Sequence, residues 1–268
     1  MMKPIKMLLS ALLALTLMMT MSLALATGED RLQSVKSTGK LVMATSPDYA
    51  PYEFLDLEGK PVGADIRLAN YIAEKLGVEL VIEAMDFDTT LAAVATGKVD
   101  LAISGISPTD ERKLTMDFTK GYNSEGAQSL LILSKDAETL KALADFEGKL
   151  VAAQNGSLQQ TLVQEQLPLA KLEPIIKIPD AIMMLLTGKV DAVAIAAKVA
   201  EQYIVNYPEL VLSEAKFDYA NEGEAVAVPL GNPQLLAAVD EIVAEVVASG
   251  QYLVWLDEAL VLMNTINK

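Results

Sequence analysis

Six consecutive residues, Ser107-Pro108-Thr109-Asp110-Glu111-Arg112, concentrate more usable chemistry than any other stretch of the chain. Ser as an N-cap, Pro at the first helical position and an acid three residues after the cap spell a helix start. Free N–H groups at such a start attract an anion, and Arg112 adds a planar fork of donors that matches a carboxylate. The same residues also read as a solvated surface turn in which Arg112 pairs with Asp110 or Asp117. The missing residue types narrow the chemistry further. With no Cys and no His among 268 residues, thiol nucleophiles, disulfides, Cys/His zinc sites and histidine-based triads are excluded. Carboxylate-only calcium or magnesium sites stay open in principle, but no Asp-x-Asp-x-Asp-Gly loop occurs. Neither a metal nor a cofactor is expected, and no catalytic residue is assigned.

Charge and hydropathy bound the class. Hydrophobic residues make up 52% of the chain, enough to bury a real core. The first 26 residues order themselves as an export signal. Lys3 and Lys6 form a basic start, Met7 to Met21 is a nearly continuous apolar run, and Ala24-Leu25-Ala26 is an A-x-A cleavage site. An uncleaved membrane anchor is the alternative. The formal charge is −15, and without residues 1–26 the balance is 19 basic against 36 acidic residues, or −17. So acidic a surface repels nucleic acid and anionic lipid. There is no lipid-attachment Cys, so a released, exported protein is expected. Residues 27–38 are polar and are expected to form a flexible lead-in.

Positioning elements follow from the periodicity. ADIRLANYIAEKLG (64–77), SLQQTLVQEQL (157–167) and NPQLLAAVDEIVAEVVASG (232–250) read as helices, and QYLVWLDEAL (251–260) as a short terminal helix. VELVIEAM (78–85) reads as a strand. Two short echoes occur in the same order: Gly39-Lys40-Leu41-Val42 returns at 148–151, and Thr96-Gly97-Lys98-Val99-Asp100 returns at 187–191. Each second element follows a helical stretch and precedes an apolar run that reads as a buried parallel strand. Alternating strands and helices give βαβ units, here in two lobes of similar construction. The extended runs at 127–134 and 224–231 are expected where the chain crosses between them, which makes a hinge and a cleft.

LVMATSPDYAPYEFLDLEGKPVGADIRLANYIAEKLG, MDFDTTLAAVATGKVDLAISGISPTDERKLTMDFTKGY and FEGKLVAAQNGS together resemble the polar amino-acid-binding proteins of bacterial ABC transporters, the extracellular solute-binding family 3. The resemblance runs from about Gly39 to the C-terminus. It implies an α/β, two-lobed type II periplasmic-binding-protein fold with a hinge of two crossover strands. Lobe 1 would hold residues 39–126 and 225–268, and lobe 2 residues 127–224. It also implies the substrate-binding component of an amino-acid transporter, monomeric, with a membrane permease as partner and no nucleic acid. A dehydratase-like enzyme on the same fold, or a sensing module for a receptor, is the alternative.

The family pattern assigns roles by position. Arg112 becomes the clamp on a ligand carboxylate. Ser104, Gly105 and Ser107 offer oxygens to an ammonium. Tyr49 and Phe87 lie against the ligand side chain, with Tyr52 and Phe54 in the core. Gln154, Asn155, Gly156, Ser157 and Gln159 form a polar rim from lobe 2, or a helix cap with solvated amides. Two positions depart from the pattern. Ala196 stands where relatives usually carry an acid for the ammonium, with Glu224 and Asp180 as substitutes. Ser46 stands where many relatives have Asp. Both departures favour a polar, uncharged ligand over arginine, lysine or histidine.

Overall fold

The computed structural model describes residues 30–124 and 126–266. The expected signal segment (1–26) lies outside the described residues, as do 27–29. Residues 31–38 are not a flexible lead-in. They form helix α1 (Arg31–Thr38), capped by Asp30, whose side chain accepts the Leu32 N–H. Polar composition misled here, because one apolar residue and one cation suffice to anchor the helix. Val35 is buried, and Arg31 pairs with Asp100 at 2.8 Å and also bonds the carbonyls of Val99 and Gly97.

The chain then builds β1 (Lys40–Thr45), a small hairpin sheet of β2 (Asp48–Tyr49), β3 (Glu53–Leu55) and β4 (Pro61–Val62), helix α2 (Ala64–Leu76), β5 (Glu79–Ala84), α3 (Phe87–Ala95), β6 (Leu101–Ala102) and β7 (Met116–Phe118). A second series follows: β8 (Gln128–Leu133), β9 (Leu150–Gln154), α4 (Leu158–Gln166), β10 (Lys171–Ile175), α5 (Ile178–Leu186), β11 (Ala192–Ala196), α6 (Ala197–Asn206) and β12 (Leu210–Leu212). The end of the chain adds β13 (Ala227–Pro229), α7 (Pro233–Ser249) and α8 (Gln251–Ile266). The last helix runs six residues beyond the expected end at 260, because Ala259 and Met263 continue its buried face.

Two five-stranded sheets result, in the orders β5-β1-β6-β13-β7 and β10-β9-β11-β8-β12. Each is a parallel βαβαβ core finished by antiparallel strands. This is the two-lobed type II fold. Leu41, Met43, Leu101 and Ile103 are fully buried in lobe 1, and Leu130, Leu131, Val151 and Val193 in lobe 2. Each such side chain contributes roughly 1.5–3 kcal/mol. The runs at 127–134 and 224–231 complete the sheets on either side of the crossing, and the two passages meet at an antiparallel bridge between Asn123 and Glu224. The fit is tight: a Cβ at Gly223, whose φ is +78°, would collide with the Asn123 carbonyl oxygen.

Among the described residues no single helix is long and apolar enough to cross a membrane. Pro233–Ser249 and Gln251–Ile266 reach that length only as a pair bent by 75°. The bend falls at Gly250, in the left-handed region at φ 69°.

Candidate functional site

Between the lobes lies a tight cavity of about 20 Å³, little more than the room a single water needs. Lobe 1 and the return crossing contribute Ser46, Asp48, Tyr49, Glu53, Phe87, Ser104, Gly105, Ser107, Arg112 and Glu224; lobe 2 contributes Gln128, Gln154, Ser157, Leu158 and Gln159. Of the residues expected at a ligand site, all but Asn155, Gly156 and Ala196 line this space; Asn155 instead donates to Asp88 Oδ2 at 3.0 Å. Gly156 takes part through its backbone, since its carbonyl accepts from Arg112 Nη2 at 2.9 Å. Ala196 stands behind the wall, where its N–H meets the Tyr49 hydroxyl at 3.3 Å. It is the last residue of a buried strand, and its methyl group offers a ligand nothing polar.

Arg112 is 9% exposed and forms no ion pair among the described residues. Asp110 instead faces Lys113, and Asp117 accepts the Gly231 N–H. The surface-turn alternative therefore fails. Nη1 donates to the Ser107 carbonyl at 2.7 Å, and the guanidinium carbon sits 5.5 Å from the Phe87 ring centre. Two carbonyls leave three of its five donors without a protein partner. Burial lowers its pKa to about 10, only partly offset by the charge of Glu111. The expected helix start at Ser107 is absent. Residues 106–109 are extended or irregular, and a 3₁₀ turn begins only at Arg112. The Ser107 carbonyl turns back to hold Arg112, so the segment positions the guanidinium and supplies no helix dipole.

The acidic side of the cavity escaped the sequence reading almost entirely. Glu53 is fully buried on the small hairpin: Oε1 accepts from Ser104 Oγ at 2.9 Å, and Oε2 has no hydrogen-bond partner. Burial first, and then the neighbouring Asp65 charge, pushes Glu53 well above the carboxylate range. Asp65 is also buried, but the Tyr252 hydroxyl (2.6 Å), the Tyr122 hydroxyl (2.8 Å) and the Gly105 N–H (2.9 Å) all donate to it. Glu224, considered only as a substitute, lines the cavity and accepts from Asn123 Nδ2. Burial and the Asp65 charge push it up to about 8. Asp180, the other substitute, is not part of the wall. One cue for Glu53 was available: in Tyr52-Glu53-Phe54 the aromatics point into the core and alternation sends the acid to the other face. Tyr52 and Phe54 are indeed buried.

Several expected ligand groups are engaged with each other. The Ser104 hydroxyl donates to Glu53 and accepts the Ser46 N–H at 3.0 Å, so it is not free for an ammonium. Ser157 caps α4 by accepting the Gln160 N–H at 3.1 Å. Gln159 Nε2 bridges the Tyr49 hydroxyl and Gln128 Oε1. Ser46 Oγ donates to Asp48 at 2.9 Å. Gly105 (φ 56°) holds the backbone against the Tyr49 ring, where a Cβ would come within 3.4 Å.

A single buried cation and three carboxyl groups share one cleft between two lobes of matching strand order, a set of groups that can complement both ends of a small zwitterion. Residues 41–257 match the model of the bacterial extracellular solute-binding proteins, family 3. The chain belongs to that family. Over 207 residues it is 34% identical to the arginine-binding extracellular protein ArtP of Bacillus subtilis, covering 75% of this chain and 79% of that one. It is 26% identical over 242 residues to the L-cystine-binding protein TcyJ of Escherichia coli, with 90% of each covered. Among solved structures it is similar to an amino acid ABC transporter substrate-binding protein, AbpA, of Streptococcus pneumoniae bound to L-arginine. That likeness has 37% identity and a TM-score of 0.83, over 88% of this chain and 100% of that one. These relatives are binding proteins. Another neighbour, at 28% identity and TM-score 0.77 over 85% of this chain and 99% of that one, is an ancestral amino acid-binding protein described as a precursor of cyclohexadienyl dehydratase.

Proposed function

We propose that this protein is the extracytoplasmic substrate-binding component of an amino-acid ABC transporter and that it captures a cationic free amino acid of the arginine class. The observation that carries the ligand class is the set of ionisable groups free to face a ligand: the carboxyls of Glu53 and Glu224 against the guanidinium of Arg112. An amino acid with a cationic side chain brings one carboxylate and two cations. Its carboxylate answers the unpaired guanidinium of Arg112. Its ammonium and side-chain cation answer Glu224 and Glu53, with Phe87 and Tyr49 against the aliphatic stem. Ser46 and Ala196 had favoured an uncharged ligand. That inference assumed the acids must stand at those two positions, whereas here they come from the hairpin and the return crossing.

The relatives support the same reading: the Bacillus subtilis protein is an arginine-binding protein and the Streptococcus pneumoniae protein is bound to L-arginine, while TcyJ is a cystine-binding protein. In this reading the protein is exported, monomeric, hands its ligand to a membrane permease and performs no covalent step. Calorimetry with arginine, lysine, histidine, glutamine and cystine tests it. Arginine should bind tightest, at least tenfold tighter than glutamine, about 1.4 kcal/mol. Glutamine or cystine binding tightest would return the ligand to the uncharged class. A high-pKa acid in the cleft also suits a dehydratase-like enzyme. Mass spectrometry of ligand recovered after incubation separates the two, since a binding protein returns it unchanged.

A further inference from the structure

The helices that open toward the cleft from lobe 2 are capped differently. Helix α4 carries its own cap, Ser157. Helix α5 has Lys177 at that position and no side-chain cap of its own. Its first N–H, that of Ile178, donates instead to Asp48 Oδ2 of lobe 1 at 2.9 Å. The same oxygen accepts from Gln154 Nε2 of lobe 2 at 3.1 Å, while Oδ1 keeps Ser46 within its own lobe. Every partner of Oδ2 therefore belongs to the opposite lobe. When the lobes part, that oxygen returns to water and α5 loses its cap.

We propose that Asp48 is an interlobe latch: its carboxylate, docked on the first turn of α5 and on the Gln154 amide, sets how long the cleft stays shut. It rests on the reading of this cleft as a capture site, but it does not depend on which amino acid is captured. The chemistry favours a latch over a ligand contact. A carboxylate at a helix start, beside a neutral amide, is satisfied without any ligand. Glu53 Oε2, by contrast, has no partner. Tyr49, the next residue, makes the same kind of crossing with its hydroxyl, to the Gln159 amide and the Ala196 N–H. The two-residue strand β2 is thus a clasp on lobe 2. Affinity changes of this origin reside in the release rate, because association begins from the open form.

The experiment compares wild type with Asp48→Ala and Asp48→Asn. Stopped-flow kinetics would be run with arginine and with glutamine, and single-molecule energy transfer between dyes on two introduced cysteines, one per lobe. The chain has no native Cys to interfere. Asp48→Ala should speed release at least tenfold for both ligands, leave association within about threefold, and reduce the closed fraction of the ligand-free protein at least threefold. Asp48→Asn should fall between. A loss confined to arginine would make Asp48 a ligand contact and overturn the latch. An unchanged open–closed distribution in the ligand-free protein would also overturn it, whatever the pocket binds. If wild type binds none of the amino acids, the capture reading fails while the energy-transfer measurement still judges the latch. A melting curve for each variant confirms folding.

Discussion

Asp100 in lobe 1 and Asp191 in lobe 2 perform the same task. Asp100 Oδ2 accepts the Val42 N–H at 2.7 Å, and Asp191 Oδ2 accepts the Leu150 N–H at 2.8 Å. Each thereby ties the start of one parallel strand to its neighbour. The cleft faces mounted on these matching sheets are unlike. Lobe 1 and the return crossing bring all the ionisable side chains of the wall apart from tyrosine: Asp48, Glu53, Arg112 and Glu224. Lobe 2 brings only neutral groups, the amides of Gln128, Gln154 and Gln159, the Ser157 hydroxyl and Leu158. A common scaffold thus carries a division of labour. In the proposed reading one face selects by charge and sends Asp48 across as the latch; the other supplies neutral hydrogen bonds and the surface on which that latch docks.

Removing charge from the discriminating face should cost most. Arg112→Ala takes away the only cation facing a ligand carboxylate that has lost its water. Truncating one partner of a buried pair costs about 2–5 kcal/mol, a loss of roughly thirtyfold to several thousandfold in affinity. Calorimetry showing a loss within threefold would end the division of labour, since lobe 2 would then hold the carboxylate.

Glu224→Gln should weaken arginine by about 1.5–3 kcal/mol, the range for hydrogen bonds to charged groups. It also carries the pH dependence. With its pKa near 8 in the ligand-free cleft, Glu224 must release a proton to receive a cation. Binding should strengthen as pH rises from about 6 to about 8 and level off above, with proton release visible in buffers of different ionisation enthalpy. The stability of the ligand-free protein runs the other way. A carboxyl whose folded pKa is raised keeps its proton on folding, so this contribution is complete below about 4.5 and is lost as pH rises to about 8. Melting temperatures across that window should fall for wild type and fall less steeply in the Gln variant, where the buried carboxyl of Glu53 still keeps its raised pKa.

Two smaller effects test the scaffold and the docking face. Asp100→Ala should cost about 1–3 kcal/mol of stability, a drop of roughly 2–12 °C in Tm. Asp191→Ala should cost less, because the Asp100 side chain is 12% exposed and paired with Arg31 at 2.8 Å, while the Asp191 side chain is 42% exposed and Lys149 stands 3.7 Å away. Equal losses would mean that Arg31 and helix α1 add nothing. Gln159→Ala should weaken binding by only about 0.5–1.5 kcal/mol, the net worth of an ordinary hydrogen bond. A loss as large as that of Arg112→Ala would erase the difference between the faces.

The layered plan was legible because hydrophobic periodicity and glycine stops are local signals. Gly77, Gly97 and Gly188 sit in the left-handed backbone at the ends of their helices, as their spacing implied. The echoes were only partly faithful. Leu101 pairs with Met43 while Ala192 pairs with Val151. When Asp100 and Asp191 are superimposed, the two Gly-Lys-Leu-Val segments are therefore out of step by one residue. A slip of one turns side chains to the opposite face, so the first echo reflects composition and the second reflects structure. Arg112, Tyr49 and Phe87 could be placed because they sit in a distinctive stretch. Glu53, Asp48 and Gln128 could not, since they reach the cavity through partners far away in sequence: Ser104 for Glu53, Gln154 and Ile178 for Asp48, and Gln159 for Gln128. The helix start at Ser107 had a complete set of capping residues and still did not form. Arg112 bonds the Ser107 carbonyl and β7 begins at Met116, which leaves room for a single 3₁₀ turn.

The strand order of lobe 1 has a consequence for how the molecule comes into being. Strand β13, Ala227–Pro229, lies between β6 and β7 inside the first sheet, so that sheet keeps a gap until the last forty or so residues are present. Lobe 2 has all five of its strands between Gln128 and Leu212 and can close its sheet earlier. A chain threaded outward from its N-terminus would thus fold its middle first, and its first-emerging half would be finished by its last. Contacts so distant in sequence slow the final step.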